Sequence, residues 1–381
     1  MKICLVGHNA DALRGCVAGG SEKQIALLAR HLARRGHEVT FVAVGYGGTE
    51  EDIDGVHLRS GWLPDRGLRG VRFFTYKLPH LRRVLDELGA DVYYTRGGSF
   101  HTPTIIAAAR RRRAVSILAL ASDQDLHHDA GKILFALGNR FLSSVIGPWV
   151  HRYYRRYCLQ AADWVIAQNE EQAARCAALG LSYRVIPNMV EPPPPELLNV
   201  RPDIDVVWVG NITSNTRRSK GFAELSALCR MLPEVHFEIV GRLNAPSIQP
   251  LLAEVRQQPN VHLAGPLPFN ETLERMARSR LVINTSPSEG FSNVMLEAWS
   301  LGKPTITLHV NPNGLLGPEG LGYCAAGSLT SMAAVVRHCL NDQDERRAIA
   351  ARCLRHVRAN HLPDVVCVQY ESLFQRKDDH V

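Results

Sequence analysis

Twice along its length the chain alternates between short apolar runs and amphipathic helical patterns, and a run of four prolines parts the two series. In the first series, apolar runs at 2–7, 38–44, 91–95, 115–120, 164–167 and 184–186 read as strands. Helical periodicity covers 21–35, 76–88, 102–112, 131–160 and 170–179, the first opening on a capping box, Ser21 with Gln24, and stopping at Gly36. The second series places strands at 205–209, 235–240, 260–264, 280–284 and 304–308. Its helices fall at 220–232, 247–257, 270–279, 293–301, 328–340 and 342–359. Strands that are apolar throughout are buried on both faces, which requires a parallel sheet covered by helices. The expected fold is therefore α/β, with two doubly wound, Rossmann-like domains. Glu191-Pro192-Pro193-Pro194-Pro195-Glu196 can continue neither a helix nor a central strand and reads as a stiff linker. The expected division is an N-terminal domain over 1–190, a linker over 191–200, a C-terminal domain over 201–360 and a helical tail over 361–381. Sheets of this kind bind ligands at the carboxyl ends of their strands, so two of them predict an enzyme with a ligand cleft. The chemistry has to come from particular residues.

Charge narrows the partners. The formal net charge of +7 is carried almost wholly by residues 1–200, which hold 25 Lys/Arg against 19 Asp/Glu; the remainder holds 19 against 18. A basic half suits phosphates, a lipid pyrophosphate or peripheral contact with an anionic membrane. No nucleic-acid motif accompanies the charge, so nucleic acid is not an expected partner. Arg110 to Arg113 end a helix, where cations suit the dipole. The stretch 133–157 mixes large apolar residues with Arg140, Arg152, Arg155 and Arg156, and both packing and lying on anionic lipid remain open for it. The nine cysteines form no C-x-x-C pair, which excludes a zinc knuckle and a dithiol redox motif. No apolar run approaches the ~18–20 residues that span a bilayer. The expected location is the cytoplasm, at most peripheral on the inner face of the membrane.

The most informative segment runs Ser286-Pro287-Ser288-Glu289-Gly290-Phe291-Ser292-Asn293-Val294-Met295-Leu296-Glu297-Ala298. It follows the strand Leu281-Val282-Ile283-Asn284 and opens a helix, with Glu289 in the loop and Glu297 about one turn inside. Between them Gly290, Phe291, Ser292 and Asn293 present main-chain N–H groups at a helix start, a natural phosphate site. Two carboxylates flanking such amides suit a ligand with hydroxyls at both ends and a diphosphate between, as in a nucleotide sugar. The competing account is two helix-start carboxylates serving the dipole. A second signal is the strand Asp205-Val206-Val207-Trp208-Val209-Gly210, followed by a loop ending Arg217-Arg218-Ser219-Lys220-Gly221-Phe222. Its three cations can stabilise charge on a departing nucleoside diphosphate, or form a solvated basic loop.

Together these segments resemble the E-x7-E signature and phosphate-binding loop of retaining glycosyltransferases of the GT-B fold, family four (glycosyl transferases group 1). The resemblance runs over nearly the whole chain. It implies that Glu289 contacts the donor sugar and Glu297 the ribose, and that Lys220 binds the donor diphosphate. Where the family usually carries an arginine after the strand glycine this chain has Asn211, so Arg217 or Arg218 is expected to supply the charge. Cys16-Val17-Ala18-Gly19-Gly20-Ser21-Glu22 resembles the family's glycine pair, with Gly19 and Gly20 letting the backbone approach the donor. Ile239-Val240-Gly241-Arg242 and Leu263-Ala264-Gly265-Pro266-Leu267-Pro268 resemble loops around the base, bringing in Arg242 and Leu267. The resemblance also implies that the tail helix crosses back onto the first domain.

On the acceptor side, many relatives carry a histidine after the strand at 115–120. Here Ser122 stands in its place, with Asp123 beside it as the acceptor-side candidate and His127 and His128 as displaced equivalents. Asp123-Gln124-Asp125 also spells D-x-D, a metal motif in the other large transferase fold; in this fold no metal is expected. The implied activity is transfer of a hexose from a UDP- or GDP-sugar to a glycan, lipid-linked or small-molecule acceptor. Transfer retains anomeric configuration, needs no cofactor beyond the donor itself, and draws on domain closure to exclude water. The alternatives are a sugar-nucleotide epimerase of the same fold and a catalytically silent sugar-nucleotide-binding module. A dehydrogenase would need G-x-G-x-x-G between the first strand and helix, which is absent.

Overall fold

The structure is a computed structural model that describes residues 1–15, 19–63, 66–67, 72–99, 101–126, 155–213 and 220–375. It divides into two compact units, Met1–Asn188 with Pro363–Val381, and Met189–Leu362.

The first unit holds β1 (Lys2–Gly7), β2 (Glu38–Ala43), β3 (Glu51–Ile53), β4 (Val56–Ser60), β5 (Val92–Arg96), β6 (Val115–Ala119), β7 (Trp164–Ala167) and β8 (Tyr183–Val185). Their order is β3-β4-β2-β1-β5-β6-β7-β8, and every pairing is parallel except β3 with β4. The chain winds outward from β1 in one direction and from β5 in the other, so strand order reverses between them. Ile3, Leu5, Val92, Val115, Ile117 and Val165 are all at most 2% exposed, which is the two-sided burial that polar-free strands require.

Three elements depart from the pattern reading. The hairpin β3–β4 lies on the sheet edge and was not expected; its turn is Asp54-Gly55, with φ of 51° and 80°, the two left-handed residues of a tight hairpin. Helix Gly20–Arg34 starts one residue before the expected box: Gly19 is its N-cap (φ −68°, ψ 161°) and no side chain caps it, because Ser21 already lies inside. At its other end Gly36 takes φ 88° and His37 N–H reaches back to Leu32 O, closing the last turn. The helical stretch expected at 131–160 falls outside the described residues except for its end, where Arg155–Leu159 wind as a π turn. The candidates His127 and His128 lie outside them too.

Helix Pro363–Glu371 belongs to the first unit. It is fastened by Glu371, whose carboxylate takes Arg35 Nε and a second guanidinium nitrogen, both at 2.8 Å, and lies 3.0 Å from His37 Nε2. Tyr370 stacks edge-on against Tyr94 of β5.

The second unit has β9 (Ile204–Val209), β10 (Phe237–Val240), β11 (Val261–Gly265), β12 (Ser279–Asn284), β13 (Thr305–Thr307) and β14 (Gly322–Cys324). They are all parallel in the order β11-β10-β9-β12-β13-β14, with the reversal between β9 and β12. The three-residue β14 was not expected; it follows a glycine-rich turn and is too short to show a period. Residues 191–200, expected as a linker, are part of this unit. Pro195–Asn199 form a single 3-10 turn, and Leu197 and Val200 pack against a cluster including Val207, Val240, Leu273 and Met276. The prolines do stop regular structure, but the two apolar residues beside them bind the segment to the sheet's helix layer.

Candidate active site

In a doubly wound sheet, loops diverge at the strand-order reversal and leave a crevice at the carboxyl ends. In the second unit the loops that part there follow β9 and β12, and they carry Lys220 and Glu289. The two meet: Lys220 Nζ donates to Glu289 Oε1 at 2.9 Å. The same oxygen takes Ser286 Oγ at 2.7 Å and Asn284 Nδ2 at 3.3 Å. Asn284 Oδ1 in turn accepts the Ser286 main-chain N–H at 2.7 Å, which sets the bend of the loop. Side-chain exposure is 26% for Lys220 and 14% for Glu289, so the pair is recessed but still reached by solvent. Burial alone would raise the Glu289 pKa. The Lys220 charge and hydrogen bonds from Ser286, Lys220 and Ser292 outweigh it, and the carboxyl titrates below its ordinary value.

Close backbone approach holds the two loops together. Gly221 adopts φ 61° as the N-cap of helix Phe222–Met231, and a Cβ there would overlap the Thr285 carbonyl. Thr285 Oγ1 accepts from Trp208 Nε1 at 3.1 Å and donates to Lys220 O at 2.9 Å, linking β9, the lysine loop and the glutamate loop. Only glycine fits at this crossing. A similar crossing lies one strand over: Gly241 has φ 135°, and its Cβ would overlap the Gly210 carbonyl. Asn211 Oδ1 accepts the Arg242 main-chain N–H at 2.8 Å, tying the loop after β9 to the loop after β10. Arg242 itself is exposed, and Leu267 is partly buried against a cluster including Val207, Val240 and Val282.

Beyond Glu289, Gly290 is buried, and the Phe291 side chain turns into a cluster with Val190, Trp299 and Leu316, packing edge-on to Trp299 at 6.0 Å. The apolar anchor fixes the main chain of 290–293. Ser292 is the N-cap of helix Asn293–Ser300, with no side-chain cap on its N–H groups. Glu297, its fifth residue, is 7% exposed. Arg217 and Arg218 lie outside the described residues. Sequence reasoning picked Glu289 and Lys220 but not Asn284, Thr285 or Gly221; the cue was available, since all three sit at strand or helix ends flanking the motifs.

The remaining candidates belong to the first unit. Gly19 and Gly20 are exposed at the uncapped start of helix Gly20–Arg34. Asp123 Oδ1 accepts Gln172 Nε2 at 2.9 Å. Asp125 is committed to main-chain donors: Oδ2 takes Ala121 N at 2.6 Å and Ser122 N at 3.0 Å, while Oδ1 takes Gly98 N at 3.4 Å. This unit's own strand-order reversal lies between β1 and β5. There the exposed His8 meets His101 edge-on, with ring centroids 5.2 Å apart. His101 is 5% exposed, its Nε2 lies 2.9 Å from Ser99 Oγ, and burial, with His8 alongside, pushes its pKa down to about 3. Arg96, 9% exposed, donates to Asn188 Oδ1 at 2.5 Å.

Known proteins resemble this chain in sequence and in fold. Residues 19–189 match the Glycosyl transferase 4-like domain, and residues 203–342 match Glycosyl transferases group 1. One subunit of the phosphatidylinositol N-acetylglucosaminyltransferase of Arabidopsis thaliana is 23% identical over 311 residues, covering 77% of this chain. The chain spans 64% of that relative's length. Among solved structures, sucrose-phosphate synthase from Thermosynechococcus elongatus superposes with a TM-score of 0.73 at 18% identity, covering 98% of both chains. Anabaena HepE in complex with UDP superposes with a TM-score of 0.68 at 16% identity, covering 98% of this chain and 99% of its own.

Proposed function

Because the chain belongs to the group 1 glycosyl transferases of the GT-B fold, we propose that it transfers a hexose or N-acetylhexosamine from a UDP-sugar to a lipid-linked or glycan acceptor, with retention. The observation that carries this reading is the Lys220–Glu289 pair at the strand-order reversal of the second unit. A donor entering there exchanges one neutralised pair for two useful contacts. Its diphosphate takes over Lys220 and the amides of 290–293, which frees the Glu289 carboxylate to accept from sugar hydroxyls. Glu297, one turn further on, faces the ribose end in this reading. A carboxyl that titrates low is ionised at neutral pH and acts as an acceptor, not as a proton donor.

No side-chain nucleophile is assigned. The leaving phosphate takes the acceptor proton, and Lys220, with Arg217 or Arg218, stabilises its charge, so transfer requires no metal. Gly19 and Gly20 are assigned to the donor, and Asp123 and the His8–His101 pair to the acceptor hydroxyl. UDP is favoured over GDP because HepE, of the same fold, is in complex with UDP, and a lipid acceptor because the phosphatidylinositol enzyme is a relative. A thermal-shift series with UDP, GDP, ADP and TDP and their sugars tests the donor, since a bound ligand raises stability by mass action. UDP and its sugars are expected to give the largest rise, unchanged by EDTA. A larger rise with GDP-sugars would overturn the UDP assignment, and no rise with any donor would overturn the transferase reading.

A further inference from the structure

At the junction of helices Leu329–Asn341 and Gln343–Asn360, three ligand-bearing side chains converge that the transfer chemistry does not use. The atoms offered by His338, Asp342 and Glu345 all lie within 4.8 Å of one another. Local structure makes this convergence. His338 and Asp342 are four residues apart, and Asp342 N–H still bonds to His338 O, so they share the closing turn of the first helix. Asp342 then leaves helical geometry (φ −97°, ψ 97°) and its Oδ1 caps the next helix by accepting Glu345 N–H at 2.9 Å. That turn swings Glu345 back over His338, whose Nε2 stands 2.5 Å from Glu345 Oε2.

The Glu345 carboxylate is the second observation. Its Oε1 takes the Tyr323 hydroxyl of β14, which fixes the group in place. Its Oε2 is sealed from solvent and receives no hydrogen bond, although the imidazole nitrogen is beside it. The two atoms stand closer than the roughly 3.3 Å that separates neighbouring ligands of one cation, so binding would part them and turn a close imidazole–carboxylate contact into two metal bonds. The hydroxyl behind Glu345 plays the part of the outer partner that orients a metal-bound carboxylate.

We propose that His338, Asp342 and Glu345 form a site for a divalent transition cation of the zinc class, with water completing the sphere. One imidazole and two carboxylates suit such an ion better than calcium or magnesium, which prefer all-oxygen sets. Metal–ligand distances of roughly 2.0–2.2 Å put neighbouring ligands about 3.3 Å apart, so closing the sphere takes small side-chain rotations. The helix Leu329–Asn341 follows β14 and runs back toward the start of the strands, so the cluster sits at the opposite end of the sheet from Glu289. Its role is to clip two helices, and it is independent of the transferase reading.

The test is calorimetric titration of the metal-free full chain with Zn²⁺, repeated on His338→Gln and Glu345→Gln. One saturable site is expected, at least tenfold weaker in either variant. With Co²⁺ its absorption should lack sulfur-to-metal charge transfer, which separates it from the cysteines. In EDTA, His338→Gln should melt within a degree or two of the parent, because the glutamine amide can still donate to the Glu345 carboxylate. Absence of saturable binding up to millimolar Zn²⁺, equal binding by parent and both variants, or thiolate bands with Co²⁺ would each overturn the proposal.

Discussion

The two units share one topology and furnish its functional position in opposite ways. Each sheet reverses strand order beside its first strand, between β1 and β5 in one and between β9 and β12 in the other. In the second unit the position holds an ion pair, Lys220 with Glu289, pinned by glycine-only backbone crossings at Gly221 and Gly241. In the first it holds His8 against a neutral, buried His101, while nearby carboxylates are spent on Gln172 and on main-chain N–H groups. The fold therefore specifies where a ligand goes, and the residues placed there decide what kind. A fixed charge pair suits a charged donor; neutral hydrogen-bonding groups suit a hydroxyl acceptor.

On the proposed reading, the largest effect follows from removing the charge at residue 289. Glu289→Ala should lower the transfer rate constant by about 10³-fold, equivalent to ~4 kcal/mol. Steady-state kinetics with the donor identified by thermal shift would measure it, and a loss of less than tenfold would erase the distinction between the units. The backbone crossing comes next. Gly221→Ala must leave φ 61° or push the Thr285 carbonyl aside, at a cost of about 3 kcal/mol in urea unfolding. A near-neutral result would mean that the loops are not held as described.

The smallest effect, taken per pH unit, sharpens the comparison from the other side. The folded-state pKa of His101 is about 3, against about 6.5 unfolded, so between those values the unfolded chain binds the extra proton. Stability should fall as pH drops from ~6.5 toward 3, by at most ~1.4 kcal/mol per pH unit from this residue. His101→Gln should flatten that slope above pH ~4.5, where Glu289 is ionised in both states; below it Glu289, whose folded-state pKa is also lowered, adds a loss of stability in the same direction. An unchanged slope in the variant would show that His101 is solvated.

The site in the second unit was the more legible in sequence, for a physical reason. Glu289 to Glu297 is one continuous segment whose spacing is set by a strand, a loop and a helix start, so local rules place both carboxylates. The histidine pair joins residues 93 positions apart, and only the parallel pairing of β1 with β5 brings them together. Nothing local marks His101 as buried. The hairpin at Asp54-Gly55 was signalled by its dipeptide, but its strands are short and carry Glu51, Asp52, His57 and Arg59, so no apolar period announced them. The prolines at 192–195 marked a break correctly but not its ownership, which Leu197 and Val200 decide by packing on the second unit.

The central claim is that Glu289 exchanges Lys220 for the sugar of a bound donor. A crystal structure with an intact UDP-sugar tests it most directly. The account predicts diphosphate on Lys220 and the 290–293 amides, with a sugar hydroxyl within hydrogen-bond distance of Glu289. A bound donor that leaves the Lys220–Glu289 pair closed, or that turns its sugar away from residue 289, would contradict it.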